Sequence, residues 1–168
     1  MKWIYGKQEL KNLERGQENC YLLTNGLGGF SSMTMTGSVA RNDHALLMAC
    51  VQAPNHRYNM VHRLKESLCL GEEEIVLSSQ EFADGYKEEG CPYLSSFVFD
   101  DMPIWRFLVQ GVEIRKEIAM KQGENTVAVR YSIGNRSRKP AELKIVPFYQ
   151  FTAKGSEPEP EQKFQYTK

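Results

Sequence analysis

Between Thr24 and Gly37 the chain reads TNGLGGFSSMTMTG, with three glycines inside four residues and then a run of hydroxyl and methionine side chains. A phosphate cradle needs a strand before such glycines and a helix after them, so that helix N–H groups meet the anion. Here alternating Ser, Met and Thr follow, a strand-forming pattern, and no lysine stands where a P-loop needs one. The local chemistry therefore predicts a strand–turn–strand corner. Asn25-Gly26 and Gly28-Gly29 supply the positive φ angles at low cost.

Glycoside hydrolysis would need two carboxylates flanking one bond. The acidic candidates are Asp84, Asp100, Asp101 and the run Glu72, Glu73, Glu74. Asp100 and Asp101 are neighbours in a predicted turn, and adjacent strand residues point to opposite faces, so they do not converge. The glutamate run reads as a solvated turn. A Ser-His-Asp site has no nucleophile-elbow pattern behind it, and His44, His56 and His62 are the only imidazoles. His56 and His62 read as loop or strand-surface residues. Cys20, Cys50, Cys69 and Cys91 are dispersed without a CxxC pair. They predict reduced, mostly buried thiols rather than a zinc site. No metal and no cofactor are expected. The sequon at Asn135 is expected to be silent in a chain without a secretion signal.

These residues must be held by strands. ENCYLLT, HALLMACVQ, EEIVLSS, SSFVFDD and PIWRFLVQ are short apolar runs between turn residues. VEIRKEIAM alternates, with Val112, Ile114, Lys116 and Ile118 on one face. It leads through QGEN to TVAVRYSI and through GNRSRKP to AELKIVPFYQF, which together read as a three-stranded antiparallel meander. KQELKNLERG, residues 7–16, predicts the one short helix, with Gly16 as its stop. About nine or ten strands and little helix make an all-β, two-sheet antiparallel β-sandwich. The sandwich is expected over residues 1–153, with a polar Pro/Glu-rich linker or loop over 154–168. Trp105, Phe97, Phe99 and Phe107 could stack on a sugar, but at strand spacing they read as core.

The chain carries 21 basic and 21 acidic residues, so it has no formal net charge and gives no reason to expect a nucleic-acid partner. No apolar run approaches the roughly 20 residues needed to cross a bilayer, and the charged N-terminus has no signal-peptide core. The expectation is a cytoplasmic protein that partners neither nucleic acid nor membrane.

The stretch CYLLTNGLGGFSSMTMTGSVARNDHALLMA resembles the signature of the N-terminal domain of bacterial and archaeal glycogen-debranching enzymes, the amylo-α-1,6-glucosidase family. Thr24 to Phe30 match its first part; Gly37, Arg41, His44, Ala45, Leu46 and Leu47 match its second. FVFDDMPIWRF and VEIRKEIAMKQGENTVAVRYSI resemble two further blocks, in the right order. Asp43 stands where the family usually has Tyr. The resemblance implies a supersandwich-like β-domain that is not itself catalytic. Its partners would be a C-terminal α/α-toroid catalytic domain of the same polypeptide, absent here, and α-glucan or glycogen. The chain would then be a truncated piece of that enzyme or a stand-alone relative of its sandwich. The resemblance makes Asn25, Gly26, Gly28, Gly29, Arg41 and His44 the candidates for contact with substrate or partner domain. Local chemistry offers the alternative that Arg41 pairs with a carboxylate and His44 caps a strand end. A domain built to bury one face against a partner predicts an exposed apolar patch or self-association of the isolated chain.

Overall fold

A computed structural model describes residues 2–157. Thirteen strands occur among them: β1 (Trp3–Gly6), β2 (Leu23–Thr24), β3 (Phe30–Ser32), β4 (Ala45–Gln52), β5 (His56–Leu70), β6 (Glu73–Val76), β7 (Ser79–Glu81), β8 (Lys87–Glu89), β9 (Leu94–Phe99), β10 (Pro103–Val109), β11 (Val112–Met120), β12 (Val127–Asn135) and β13 (Ala141–Ala153). One sheet has the order β1-β9-β10-β11-β12. The other has the order β13-β5-β4-β3-β2, with β6 also paired to β5. All these pairings are antiparallel. A small β7–β8 hairpin stands apart. The two sheets pack face to face, so the fold is an all-β sandwich.

The core follows from period-two alternation. Val112, Ile114, Lys116 and Ile118 of β11 all point inward and are buried. They meet Leu46 of β4, Leu68 and Leu70 of β5, and Ile75 of β6 from the opposite sheet. Gln110 and Gly111, with φ of 45° and 84°, form the two-residue turn that joins β10 to β11. Trp105 and Phe97 are fully buried, with ring centroids 5.0 Å apart, and Tyr21 meets Trp105 edge-on at 5.5 Å. The Trp105 indole donates to the Met35 carbonyl at 2.8 Å. Together with buried Phe107 and partly buried Phe99, these rings are core and form no open sugar platform.

Four sequence expectations are corrected. The helix expected over residues 7–16 shrinks to α1 (Leu13–Gly16). Asn12 caps it by accepting the Arg15 N–H at 2.9 Å, and an asparagine that takes the N-cap begins a helix rather than continuing one. Residues 3–6 instead pair with β9. Secondly, the last three strands are no meander. β12 stays on β11, but β13 crosses to the other sheet and runs along β5. Thirdly, SSMTMTGS breaks after Ser32, because Thr34 and Ser38 hydroxyls bond each other at 2.7 Å and Gly37 turns the chain at φ 79°. Finally, of the four free thiols only Cys50 and Cys91 are buried, while Cys20 is exposed. Strand β5, fifteen residues long and central to its sheet, is absent from the sequence reading.

Of the expected 154–168 linker, residues 154–157 form a turn and leave β13; residues 158–168 lie outside the described residues. β13 is an edge strand. Ile145, Val146, Phe148 and Tyr149 lie exposed along it, and Ile133 is exposed on β12, the edge of the opposite sheet.

Candidate functional site

The glycine stretch forms a tight corner between β2 and β3. The Asn25 N–H donates to the Gly29 carbonyl at 3.2 Å, while its side-chain oxygen accepts from Leu27 N–H at 2.9 Å and Gly29 N–H at 3.0 Å. Gly26 and Gly28 take φ of 79° and 95°, values that L side chains rarely adopt. A Cβ on Gly28 would lie 2.8 Å from the Pro54 carbonyl, and one on Gly29 would lie 2.6 Å from the Asn25 amide. The close approach these glycines permit is therefore to other protein segments.

Those segments come from both sheets. The amide of buried Asn25 donates to the Glu124 carbonyl and to Asn125 Oδ1, both at 3.0 Å. Gly123 N–H reaches the Asn25 carbonyl at 2.8 Å. Asn125 in turn pairs its amide with the backbone of Cys50, accepting at 3.0 Å and donating at 2.8 Å. Two asparagines thus clasp the β11–β12 loop of one sheet to the corner and to β4 of the other.

A cavity of about 510 Å³ opens beside the corner, lined by Gly26, Gly28, Gly29, Phe30, Asp43 and Arg57 among others. Arg57 donates to the Gly28 carbonyl at 2.6 Å. Arg57 and Lys154 lie 6.0 Å and 5.8 Å from the Phe30 ring centroid.

Arg41 lines a second cavity, of about 520 Å³, with His62, Gln80, Glu81, Phe82 and Gln150. Its loop is pinned from two sides. Gln80 accepts from Val39 N–H at 2.9 Å and donates to the Val39 carbonyl at 3.0 Å. His44 Nδ1 accepts from Ala40 N–H at 3.2 Å, so His44 caps the start of β4 and carries its proton on Nε2. Among the described residues no carboxylate lies within ion-pair distance of Arg41; its guanidinium contacts Cys20 Sγ at 3.8 Å. The six sequence candidates are thus distributed. The glycines line one cavity, Arg41 lines the other, and Asn25 and His44 are buried where they fix the loops.

Sequence reasoning missed His62, Gln80, Phe82 and Gln150 as cavity residues, and Asn125 as half of the clasp. Three separate parts of the fold bring them in: β5 and β13 carry His62 and Gln150, the β7–β8 hairpin brings Gln80 and Phe82, and the β11–β12 loop brings Asn125. His62 also departs from its expected surface place: it is half-buried, with Nδ1 accepting from Asn59 at 2.9 Å. Among the described residues no three His, Cys, Asp or Glu are grouped to hold a metal ion.

Burial holds both His44 and His62 below the ordinary imidazole value of 6.5. Arg63 and then His44 add to the effect on His62; at His44, Asp43 opposes it and Arg41 adds to it. Between the folded and unfolded pKa the unfolded chain binds more protons, so stability rises with pH there. The contribution is complete above pH 6.5 and is lost as pH falls below it. The unfolding free energy from urea denaturation between pH 7.5 and 5 should decline, at no more than about 1.4 kcal/mol per pH unit per group. A His44→Gln, His62→Gln double variant should flatten that slope, and an unchanged slope would refute the assignment.

The fold and these sites define an antiparallel two-sheet β-sandwich domain with open cavities beside the glycine corner and the Arg41 loop. Residues 19–168 match the family described as "Glycogen debranching enzyme N terminal", and the chain belongs to that family. Over 64 residues it is also 38% identical to a membrane protein insertase YidC of Thiobacillus denitrificans (strain ATCC 25259 / T1), a match covering 38% of this chain and 11% of that protein. No solved structure matches the chain. Among the described residues no helix is long and apolar enough to cross a membrane.

Proposed function

We propose that this chain serves as the non-catalytic N-terminal domain of a cytoplasmic glycogen-debranching glycoside hydrolase of the amylo-α-1,6-glucosidase class. It supports an α/α-toroid catalytic domain and helps shape that domain's α-glucan site. The observation that carries the reading is the family match over nearly the whole chain. The acids give it physical support. Asp84, Asp100, Asp101 and Glu72 to Glu74 are exposed on turns and strand ends, whereas an acid catalyst sits in an apolar pocket. The exposed apolar residues of β12 and β13 support it too, since they offer a flank against which a partner domain can pack.

The test has two parts. The reading frame beyond codon 168 should encode a helical catalytic domain. The polypeptide containing both should release glucose from α-1,6-branched limit dextrin, while residues 1–168 alone release none. A stop codon at that point would favour a stand-alone sandwich, and glucose release by the isolated chain would overturn the non-catalytic role.

A further inference from the structure

We infer that the cavity beneath the Arg41 loop is a binding subsite for a neutral polyhydroxylated ligand, namely a short α-glucan. The α-glucan part of this rests on the functional reading above; the neutral, hydroxyl-rich part rests on the cavity itself.

Its volume of about 520 Å³ lies within the range of small-molecule sites. Its wall mixes donors and acceptors with one aromatic ring. Arg41 brings a positive charge, Glu81 and Glu157 negative ones, and Glu81 is already held by Lys87 at 2.8 Å. Neither an anion nor a cation gains from such a balance, because each would meet a like charge. A neutral ligand with many hydroxyls can use both kinds of group.

The polar groups are fixed before any ligand arrives. Asn59 donates to His62 Nδ1 at 2.9 Å and to Gln150 Oε1 at 3.0 Å. That places the His62 proton on Nε2, which has no hydrogen-bond partner among the described residues, and leaves the Gln150 amide group free to donate. Gln80 is locked by three bonds, two to Val39 and one to the Glu81 carbonyl at 3.0 Å. Such preorganisation lowers the ordering cost of binding. Phe82 is held by Arg63, 5.2 Å from its ring centroid, and by Tyr86 at 5.5 Å. It gives the wall an apolar face on which the C–H face of a sugar ring can rest. His62 stays neutral near pH 7 because of its burial and the Arg63 charge, so it presents a donor without adding charge.

The experiment is a titration of ¹⁵N-labelled chain with maltotetraose, with cellotetraose and inorganic phosphate as comparison ligands. Saturable shifts should appear at Arg41, Asn42, Gln80 to Phe82 and Gln150. Phe82→Ala and Gln150→Leu should each weaken binding about tenfold, the loss of one stacking or hydrogen-bonding contact. Phe30→Leu, in the other cavity, should leave it unchanged. Shifts centred on Gly26 to Phe30, equal binding of cellotetraose, or tighter binding of phosphate would each overturn the assignment. So would an absence of maltotetraose binding, and that result would leave the domain's debranching role standing if the longer polypeptide remained active. Binding by a chain whose longer polypeptide has no debranching activity would keep this subsite and sink the functional reading instead.

Discussion

Replacing Lys116 with alanine should lower the free energy of unfolding by about 3–5 kcal/mol, the range for breaking one side of a buried ion pair. Lys116 sits on the inward face of β11 between Ile114 and Ile118, and its side chain is 5% exposed. Its ammonium meets Glu66 of β5 at 2.5 Å across the sandwich and lies 5.3 Å from the Trp105 ring centroid. Glu66 also accepts from the Tyr131 hydroxyl at 2.7 Å, and burial beside that carboxylate pushes the Tyr131 phenol up. Without Lys116 the Glu66 carboxylate is left buried with no opposite charge. Urea denaturation at pH 7.5 measures the cost. The triple variant Lys116→Met, Glu66→Leu, Tyr131→Phe removes every polar partner together and should recover most of the loss, since apolar replacement of a buried pair is often neutral. A loss below about 1 kcal/mol for Lys116→Ala, the scale of an exposed pair, would mean that water reaches the site.

The same charges explain why part of the fold could not be read from the chain. β11 was legible because period-two alternation survives in it, and it correctly placed Lys116 on the inward face. The partner of Lys116 was not legible. β5 buries polar residues on both faces: Glu66 shares the core face with Leu68 and Leu70, while Arg63 and Ser67 lie on the other, so burial and polarity do not alternate together along it. Arg63 is buried with Glu88 of β8 gripping it twice, at 2.8 Å and 3.2 Å, and with the Phe148 ring centroid 4.5 Å away; the first contact spans 25 residues and the second is longer still. β13 was legible as a strand but not as a member of the other sheet. GNRSRKP has hairpin composition, and composition does not say which sheet a strand joins. The cavities suffered most. Arg41 was marked by its motif, while His62, Phe82 and Gln150 carry no local signal because strand pairing and the docking of the β7–β8 hairpin through Arg63 and Gln80 bring them beside it.

Asn25→Ala should cost about 3 kcal/mol or more, the sum of several buried hydrogen bonds and of the partners left unpaired. Asn25 is fully buried, and its amide joins four groups: Leu27 N–H, Gly29 N–H, the Glu124 carbonyl and Asn125 Oδ1. The first two close the corner; the last two tie it to the opposite sheet. Alanine would strand the Gly29 N–H in a buried setting and release Asn125, whose own bonds hold the backbone of Cys50. Hydrogen exchange at the Cys50 amide should therefore quicken along with the global loss. Asn25→Asp separates the two halves of the clasp. A carboxylate still accepts from Leu27 and Gly29 but cannot donate, and it would face the oxygens of Glu124 and Asn125. The corner should persist while the tie between sheets fails. Gly29→Ala should resemble Asn25→Ala, because its Cβ would press on the Asn25 amide at 2.6 Å and on Asn125 Oδ1 at 2.8 Å. The outcome decides what the glycine signature is for. If it exists to meet sugar or a partner domain, Asn25→Ala should leave the melting temperature unchanged and lower activity in the longer polypeptide. If it exists to lock two sheets together, stability should fall first and any loss of activity should follow the unfolded fraction. The geometry of the corner, turned inward on four protein partners, favours the second result, and a stability loss under about 1 kcal/mol, no more than one ordinary hydrogen bond, would exclude it.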